Sequence, residues 1–188
     1  MSTLKILGFA GSLRKNSYNR SALRVAQALA PSDVKVDIFD LNGIPVFNED
    51  EEANPSKIVV EFRKKISDAD AILIATPEYN YSIPGVLKNA IDWGSRPYGK
   101  GALIGKPVAI MGASMGMLGT ARSQYHLRQS FVFLNMYVLN QPEVMIPFAA
   151  KVFDAQGNIT DDKARDKIKE LVSALADWTR KLRAGSII

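Results

Sequence analysis

The residues best suited to bind a ligand fall in three short stretches, of which the first is GSLRKNSYN at 11–19. It offers Ser12, Arg14, Ser17 and Asn19 between an apolar run and a helix-like segment. Hydroxyl and amide side chains, a planar guanidinium and the free amides of a helix N-terminus together suit a phosphate. The alternative is that Ser17 or Asn19 only caps the helix. The glycine patterns of P-loops and of dinucleotide folds are missing here, which argues against ATP and tightly bound NAD.

The other two stretches are PEYNYSIPG at 77–85 and GASMGMLG at 112–119. In the former, two prolines bracket tyrosine, asparagine and serine, which predicts a stiff turn suited to a flat ring that forms hydrogen bonds. Tyr79 or Tyr81 taken alone fits core packing as well as ligand stacking. The three glycines of the latter let backbone N–H groups approach a ligand closely, although plain turns also use glycine at strand ends.

The elements that must position these stretches alternate along the chain. Five apolar runs predict strands, and between and after them lie segments with helical periodicity, one of which runs through Leu118–Leu134. The predicted strands are Leu4–Ala10, Val34–Asp40, Ala71–Pro77, Pro107–Ser114 and Asn135–Gln141. A last helix is expected to start at Thr160, Asp161 and Asp162. The pattern predicts an α/β fold, with helices on both faces of a parallel sheet.

The order of the strands follows from the crossover rule and the length of 188 residues. Both favour a flavodoxin-like doubly wound sheet of five strands in the order 2-1-3-4-5, formed by a single domain over residues 1–188. In such a sheet, ligands bind outside the carboxyl ends of the strands near the point where the order reverses. The three stretches follow strands one, three and four, so we expect them to converge there.

Charge and composition limit the function classes. The net charge of +5, from 24 basic and 19 acidic residues without a long like-charge block, leans towards anionic ligands and gives no sign of nucleic acid. The chain has no cysteine, which excludes disulfides, thiolate metal sites and a cysteine nucleophile. His126 is the single histidine, so the carboxylates of Glu49–Glu52 indicate a solvated acidic loop and no metal site.

The cell compartment is also expected from the sequence. The N-terminus lacks the pattern of a secretory leader, and no apolar stretch reaches the length of a membrane-spanning helix. We therefore expect a cytoplasmic protein without membrane insertion. The polar segment Asn48–Ser56 is expected to be a solvated crossover.

The residues now described closely resemble the NAD(P)H-dependent FMN reductases of flavodoxin-like fold, a family that includes bacterial quinone, chromate and azo-dye reductases. The resemblance lies in GSLRKNSYNR at 11–20, TPEYNYSIPGVLKNAIDW at 76–93 and GASMGMLGTARSQYHLRQ at 112–129. It implies an enzyme that passes a hydride from NADPH or NADH through bound FMN to quinones or other electron-poor acceptors. It also implies a homodimer or homotetramer.

The resemblance assigns roles to eleven residues of this sequence. Those of the first stretch would hold the FMN phosphate and ribityl chain, those of the second would line the ring largely through backbone groups, and those of the third would close its other side. They are Ser12, Arg14, Ser17, Tyr18 and Asn19, then Pro77, Glu78, Tyr79 and Asn80, then Ser114 and Gly116. No residue is assigned to acid–base catalysis, because hydride chemistry belongs to the flavin.

Alternatives of other classes stay open at this point. A one-electron carrier of the flavodoxin type would use the same fold, although such carriers tend to be acidic. A sensor module would bind flavin without turnover. His126 is expected to be structural or interfacial, since the sequence identifies no partner for it. Tyr125 and Arg128 fit a solvated helix face or an interface. The preferred nicotinamide and the physiological acceptor are not readable from the residues.

Overall fold

The structure, a computed structural model, describes residues 3–185, in which helices cover both faces of a central parallel sheet. In chain order the elements are β1 (Leu4–Ala10), α1 (Tyr18–Ala28), β2 (Val34–Phe39), α2 (Lys57–Asp68), β3 (Ala71–Ala75), α3 (Gly85–Gly94), β4 (Pro107–Ala113), α4 (Ala121–Phe133), β5 (Tyr137–Val138), β6 (Val144–Ile146), α5 (Ala149–Val152) and α6 (Asp162–Ala184). Among residues 3–185, no helix is both long and apolar enough to cross a membrane.

The sheet has the strand order β2-β1-β3-β4-β5, which confirms the predicted flavodoxin-like order. All neighbours are parallel, as connections through helices require. The register aligns Ala10 with Ala75 and Ala75 with Met111, so β1, β3 and β4 end close together at one edge. The three loops that follow these strands therefore start side by side.

The fifth position of the sheet differs from the prediction, because two short strands share it. The predicted strand Asn135–Gln141 shrinks to β5, which pairs with Pro107 and Val108 at the start of β4. After a break that contains Pro142, which has no N–H to donate, β6 pairs with Met111 to Ala113 at the end of β4. The run around β6 was missed because three residues are too few for a clear pattern.

Two apolar clusters hold the layers together. One lies between the sheet and helices α1 and α6 and includes Leu23 and Val172. The other lies between the sheet and helices α2, α3 and α4 and includes Phe62, Leu87 and Leu127. The strands between them are buried on both faces, which explains why β1, β3 and β4 are almost continuously apolar.

The helix ends follow from capping side chains. Asp161, and not Thr160, is the N-cap of α6, where its Oδ1 accepts from the Ala164 amide at 2.7 Å. Ser17 is the N-cap of α1, as one alternative for the first loop proposed. The segment Asn48–Ser56 is mostly exposed, as expected, and contains one turn of 3-10 helix at Glu49–Glu51.

Candidate active site

The three loops meet at the carboxyl edge of the sheet around a cavity of about 100 Å³. Nine of the eleven residues assigned from the sequence line it, together with Ala113 at the end of β4. These nine are Ser12, Arg14, Ser17, Tyr18, Asn19, Pro77, Glu78, Tyr79 and Ser114. Asn80 and Gly116 belong to the same loops but lie outside the lining of this cavity. A larger cavity of about 540 Å³, between Glu143 and Lys167, contains none of the assigned residues.

The first loop ends at the N-terminus of α1. The Ser17 hydroxyl accepts a hydrogen bond from the Arg20 amide at 3.4 Å. This cap does not engage the amides of the two residues in between, Tyr18 and Asn19. Within residues 3–185, the N–H groups of Tyr18 and Asn19 donate to no other group. Two free amides at a helix N-terminus favour an anion through both hydrogen bonds and the helix dipole.

Arg14 brings a guanidinium to the same place. One of its Nη atoms donates to the Asn16 carbonyl at 2.8 Å, and its central carbon lies 5.4 Å from the centre of the Tyr18 ring. Tyr18 in turn stacks on Phe153, with 5.8 Å between ring centres. These contacts hold the guanidinium beside the helix N-terminus, and most of its five N–H groups remain available.

The side chain of Asn19, which the residue types offered as a donor to a phosphate, binds the backbone of β4 in this structure. It is buried, its Nδ2 donates to the Ala113 carbonyl, and its Oδ1 accepts from the Ala113 amide, both at 2.9 Å. β3 pairs with β4 only as far as Met111, so Ala113, two residues further on, has no partner in β3. The Asn19 side chain takes the place of that partner. The side chain thus ties the first loop to β4, and among the described residues the backbone N–H of Asn19 has no partner.

Glu78, in the second loop, holds that loop on the N-terminus of α4. Its carboxylate is 7% exposed and accepts from the amides of Arg122 at 3.1 Å and Ser123 at 3.3 Å. The Arg122 guanidinium forms an ion pair with the same carboxylate. The side-chain hydrogen bond to Glu78 raises the pKa of the Arg122 guanidinium above its ordinary value.

The rest of the second loop is a tight turn. Tyr79 and Ser82 exchange two backbone hydrogen bonds, of 3.2 and 3.0 Å, around Asn80 and Tyr81. Both central residues have positive φ, 49° and 66°, a conformation that asparagine accepts readily and tyrosine rarely. The Arg122 guanidinium lies 3.5 Å from the centre of the Tyr81 ring and stabilises this turn.

The third loop is fixed by the chain that follows β6. Ser114 accepts from the Ala149 amide at 2.9 Å, and Gly116 accepts from the Phe148 amide at 3.3 Å. A Cβ on Gly112 would lie 1.9 Å from the Thr120 hydroxyl, and one on Gly119 would lie 2.8 Å from the Met145 backbone. Those two glycines serve internal packing. A Cβ on Gly116 would meet no atom closer than 3.9 Å, so only this glycine leaves open space for a ligand.

The sequence did not decide whether three residues of α4 are structural, solvent-exposed or at an interface, and the structure shows their contacts. His126 has a partner after all, since its Nδ1 lies 2.9 Å from the Ser82 hydroxyl, which adds a second link between the turn and α4. Arg128 donates to the Leu139 carbonyl and to Asn140, each at 3.3 Å, and so joins α4 to the chain after β5. Tyr125 is exposed.

Sequence reasoning missed Arg122 and Ser123 as parts of the site. A signal was present, because an arginine in the first turn of a helix opposes the helix dipole and needs a specific anion to hold it there. The partner, Glu78, is 44 residues away in the sequence. Only the fold brings the two together.

A helix N-terminus with free amides, beside an aromatic turn at the carboxyl edge of a 2-1-3-4-5 sheet, places the protein in the flavodoxin-like class, whose ligands bind at that edge. Comparison with known proteins specifies the family. The model of the NADPH-dependent FMN reductase family matches residues 4–151, and this chain belongs to that family. The resemblance noted in the sequence is confirmed, and with it FMN as the cofactor and NAD(P)H as the electron donor.

Individual relatives agree with the family. The chain is 55% identical over 181 residues to an NAD(P)H-dependent FMN reductase of Pseudomonas aeruginosa, covering 96% of this chain and 97% of the relative. It is 42% identical over 180 residues to a 2-hydroxy-1,4-benzoquinone reductase of a Burkholderia species, covering 96% and 98%. Among solved structures, the flavoenzyme NAD(P)H:(acceptor) oxidoreductase FerB of Paracoccus denitrificans is similar, with a TM-score of 0.86, 35% identity and coverage of 95% and 98%.

Proposed function

We propose that this chain is an FMN-dependent oxidoreductase that passes a hydride from NAD(P)H to quinones and to other electron-poor acceptors, with chromate and azo compounds among the candidates. The observation that carries the proposal is the meeting of the three loops around one cavity at the switch point of the sheet. Bound FMN supplies the hydride chemistry, and the protein needs no acid or base of its own. The residues of this chain bind the cofactor, orient it and shield it from competing reactions.

The first loop fits the phosphate of FMN. Arg14, Tyr18 and Asn19 all line the cavity, and they bring to it a guanidinium, two free amides and the N-terminal end of the α1 dipole. Ser12 and Ser17 add hydroxyl groups, whose oxygens accept from the Arg14 amide at 3.3 Å and the Arg20 amide at 3.4 Å. Each hydroxyl therefore keeps its proton for a phosphate oxygen.

The second and third loops fit the ring. Pro77, Glu78 and Tyr79 of the second loop and Ser114 of the third line the cavity together. The cavity is too small for a whole flavin, so Tyr79 and Met115, which are exposed in the same two loops, would also hold the ring. Glu78, held by Arg122, keeps the ring-binding backbone in place, which is a positioning role. Asn80 supports the turn, and Gly116 allows close approach of the backbone.

An open ring face explains a broad range of acceptors. Tyr81, Met115 and Met117 are 69%, 61% and 67% exposed beside the proposed ring site. Such a rim offers apolar and aromatic contact without a closed, shape-selective pocket. Small flat quinones suit these contacts, and this open rim would give both the donor and the acceptor access to the flavin.

We further propose that the chain acts as one domain over residues 1–188 and assembles as a homodimer or homotetramer. The support for a single domain is the continuous sheet with an apolar cluster on each face. The support for assembly is an exposed aromatic pair, Tyr98 and Phe133, with ring centres 6.0 Å apart, next to exposed Val132. Light scattering of the wild-type protein and of Phe133→Ser tests this, and a wild-type monomer contradicts it.

A cytoplasmic location also belongs to the proposal, because the electron donor NAD(P)H is an intracellular cofactor. Fractionation of cells that express the chain with a tag tests it, and recovery outside the cytoplasm contradicts it.

The experiment that tests the proposed activity is a visible spectrum of the purified protein. The protein is reconstituted with FMN, washed free of excess flavin and mixed with NADPH in the absence of oxygen. We expect the flavin absorption to bleach and to return when a quinone is added. Flavin that stays bound without bleaching indicates a carrier or a sensor and contradicts the reductase. Failure to retain flavin contradicts the site itself.

A further inference from the structure

A second cavity, of about 270 Å³, lies on the outer side of the first loop. Its walls are the first loop, the solvent side of α1 and the turn around Asp154 and Gly157. It shares Arg14 and Tyr18 with the cavity proposed for the flavin, so the two cavities are neighbours separated by these two side chains.

Three cations line this second cavity: Arg14, Lys15 and Arg24. Within residues 3–185, none of them forms an ion pair with a carboxylate, whereas most of the other arginines of the chain do. The polar contacts of the two guanidiniums leave donors free, because Arg14 gives one N–H to the Asn16 carbonyl and Arg24 one to the Ser21 hydroxyl at 2.9 Å. Three positive charges without an ion pair therefore line this cavity, against the single carboxylate of Asp154.

The one acid of the cavity does not neutralise that charge by contact. The Asp154 carboxylate accepts from the Gln156 amide at 2.9 Å and from the Asn158 amide at 2.8 Å, and its other oxygen accepts from the Asn158 side chain at 2.9 Å. The hydrogen bond from the Asn158 side chain, with the backbone hydrogen bonds, lowers the pKa of Asp154. Its oxygens are engaged within its own turn.

The outer wall is rigidly built. Gly157 has φ of 82°, and a Cβ on it would lie 2.5 Å from the Ser21 hydroxyl and 2.8 Å from the Arg24 guanidinium. The turn therefore fits against α1 only with glycine at this position. The turn thus packs closely against Ser21 and Arg24 of α1, and both residues line the cavity.

We propose that this cavity is a second phosphate subsite, occupied by the adenylate phosphate of FAD, so that the protein accepts the flavin dinucleotide as well as FMN. This inference rests on the proposed function, which places the FMN phosphate at the first loop. In FAD the second phosphate is bonded directly to the first, so it must lie next to the Ser12–Ser17 loop. A phosphate of NADPH is a less direct source, because the nicotinamide has to meet the ring at the opposite end of the flavin cavity.

The test compares flavin binding in a matched pair of variants. FMN and FAD are titrated separately into the flavin-free protein, and binding is followed by flavin fluorescence. The test variant is Lys15→Gln with Arg24→Gln, and the control is Lys57→Gln with Lys169→Gln, which removes the same charge from exposed positions on α2 and α6. Thermal unfolding of each variant checks that the fold is unchanged.

We expect the test variant to weaken FAD binding about tenfold or more and FMN binding by less than about threefold, since charge-assisted hydrogen bonds to a phosphate are lost. The control variant leaves the ratio of the two affinities unchanged. The subsite is contradicted if the test variant weakens both flavins equally, or if the wild-type protein binds FMN tightly and FAD not at all. A raised KM for NADPH with an unchanged flavin ratio assigns the cavity to the electron donor and also overturns the proposal. Failure to bind FMN overturns the proposed function instead.

Discussion

Asn19 provides the sharpest test of how the first loop works, because its side chain can be a ligand for phosphate or a tie to β4. Asn19→Ala removes both hydrogen bonds to the Ala113 backbone. The site is buried, with Asn19 3% and Ala113 2% exposed, so water cannot replace the lost partner without rearrangement. One amide and one carbonyl of β4 are left unpaired.

The expected cost follows from these two groups. An unsatisfied buried polar group costs about 1–3 kcal/mol, so the free energy of unfolding should fall by about 2–6 kcal/mol. This is a large part of the total stability of about 5–15 kcal/mol that is usual for a domain. With a urea dependence of about 2 kcal/mol per molar, the midpoint of unfolding moves down by about 1–3 M.

The assay is urea unfolding of the flavin-free protein, followed by fluorescence, with Ser17→Ala as the matched control. Ser17 lies in the same loop but loses only its long capping bond to Arg20, which costs about 0.5–1 kcal/mol. We expect Asn19→Ala to be the less stable variant by a clear margin. If Asn19→Ala unfolds within about 1 kcal/mol of the wild type and loses FMN affinity at least tenfold, the tie to β4 is refuted and the side chain is a ligand.

Three further predictions concern the loops. Replacing Arg14 and Ser17 together by alanine should weaken FMN binding by about tenfold or more, measured by fluorescence titration, because a cation and a hydroxyl leave the phosphate end. Glu78→Ala should lower the free energy of unfolding by about 1–2 kcal/mol and weaken FMN binding, because the N-terminus of α4 loses its cap, and Glu78→Gln should restore most of both. Asp154→Asn should destabilise the protein in urea unfolding at pH 7 but not at pH well below 3.8.

The sign of the last prediction follows from the lowered pKa of Asp154. A carboxylate whose pKa in the folded protein lies below the ordinary 3.8 stabilises the fold above that pH, and the contribution disappears as the pH falls through the folded value. An equal effect of Asp154→Asn at both pH values contradicts this reasoning. If the Arg14 and Ser17 double variant keeps the FMN affinity of the wild type, the first loop does not bind the phosphate. If Glu78→Gln lowers stability and FMN affinity as much as Glu78→Ala does, the charge of Glu78 is needed and its capping hydrogen bonds are not sufficient.

The sequence alone determined the class of fold, and it predicted the position of the candidate site. Strands buried on both faces are nearly continuous apolar runs, helices repeat with their own period, and the start of α1 is marked by Ser17. These are local signals, and they are legible without any long-range contact. Ligands of such sheets bind at the carboxyl ends of neighbouring strands, and this rule predicted that the three loops lie side by side.

The tertiary structure alone decided which groups of those loops remain available to a ligand. Asn19 reaches Ala113 across 94 residues and Glu78 reaches Arg122 across 44, and neither pairing has a signature in the spacing of the sequence. The division of the fifth sheet position into β5 and β6 likewise depends on tertiary pairing, because β5 pairs with the start of β4 and β6 pairs with its end. A polar side chain in a loop reads the same whether it binds a ligand or an unpaired backbone group, and only the packed chain shows which of the two lies within reach.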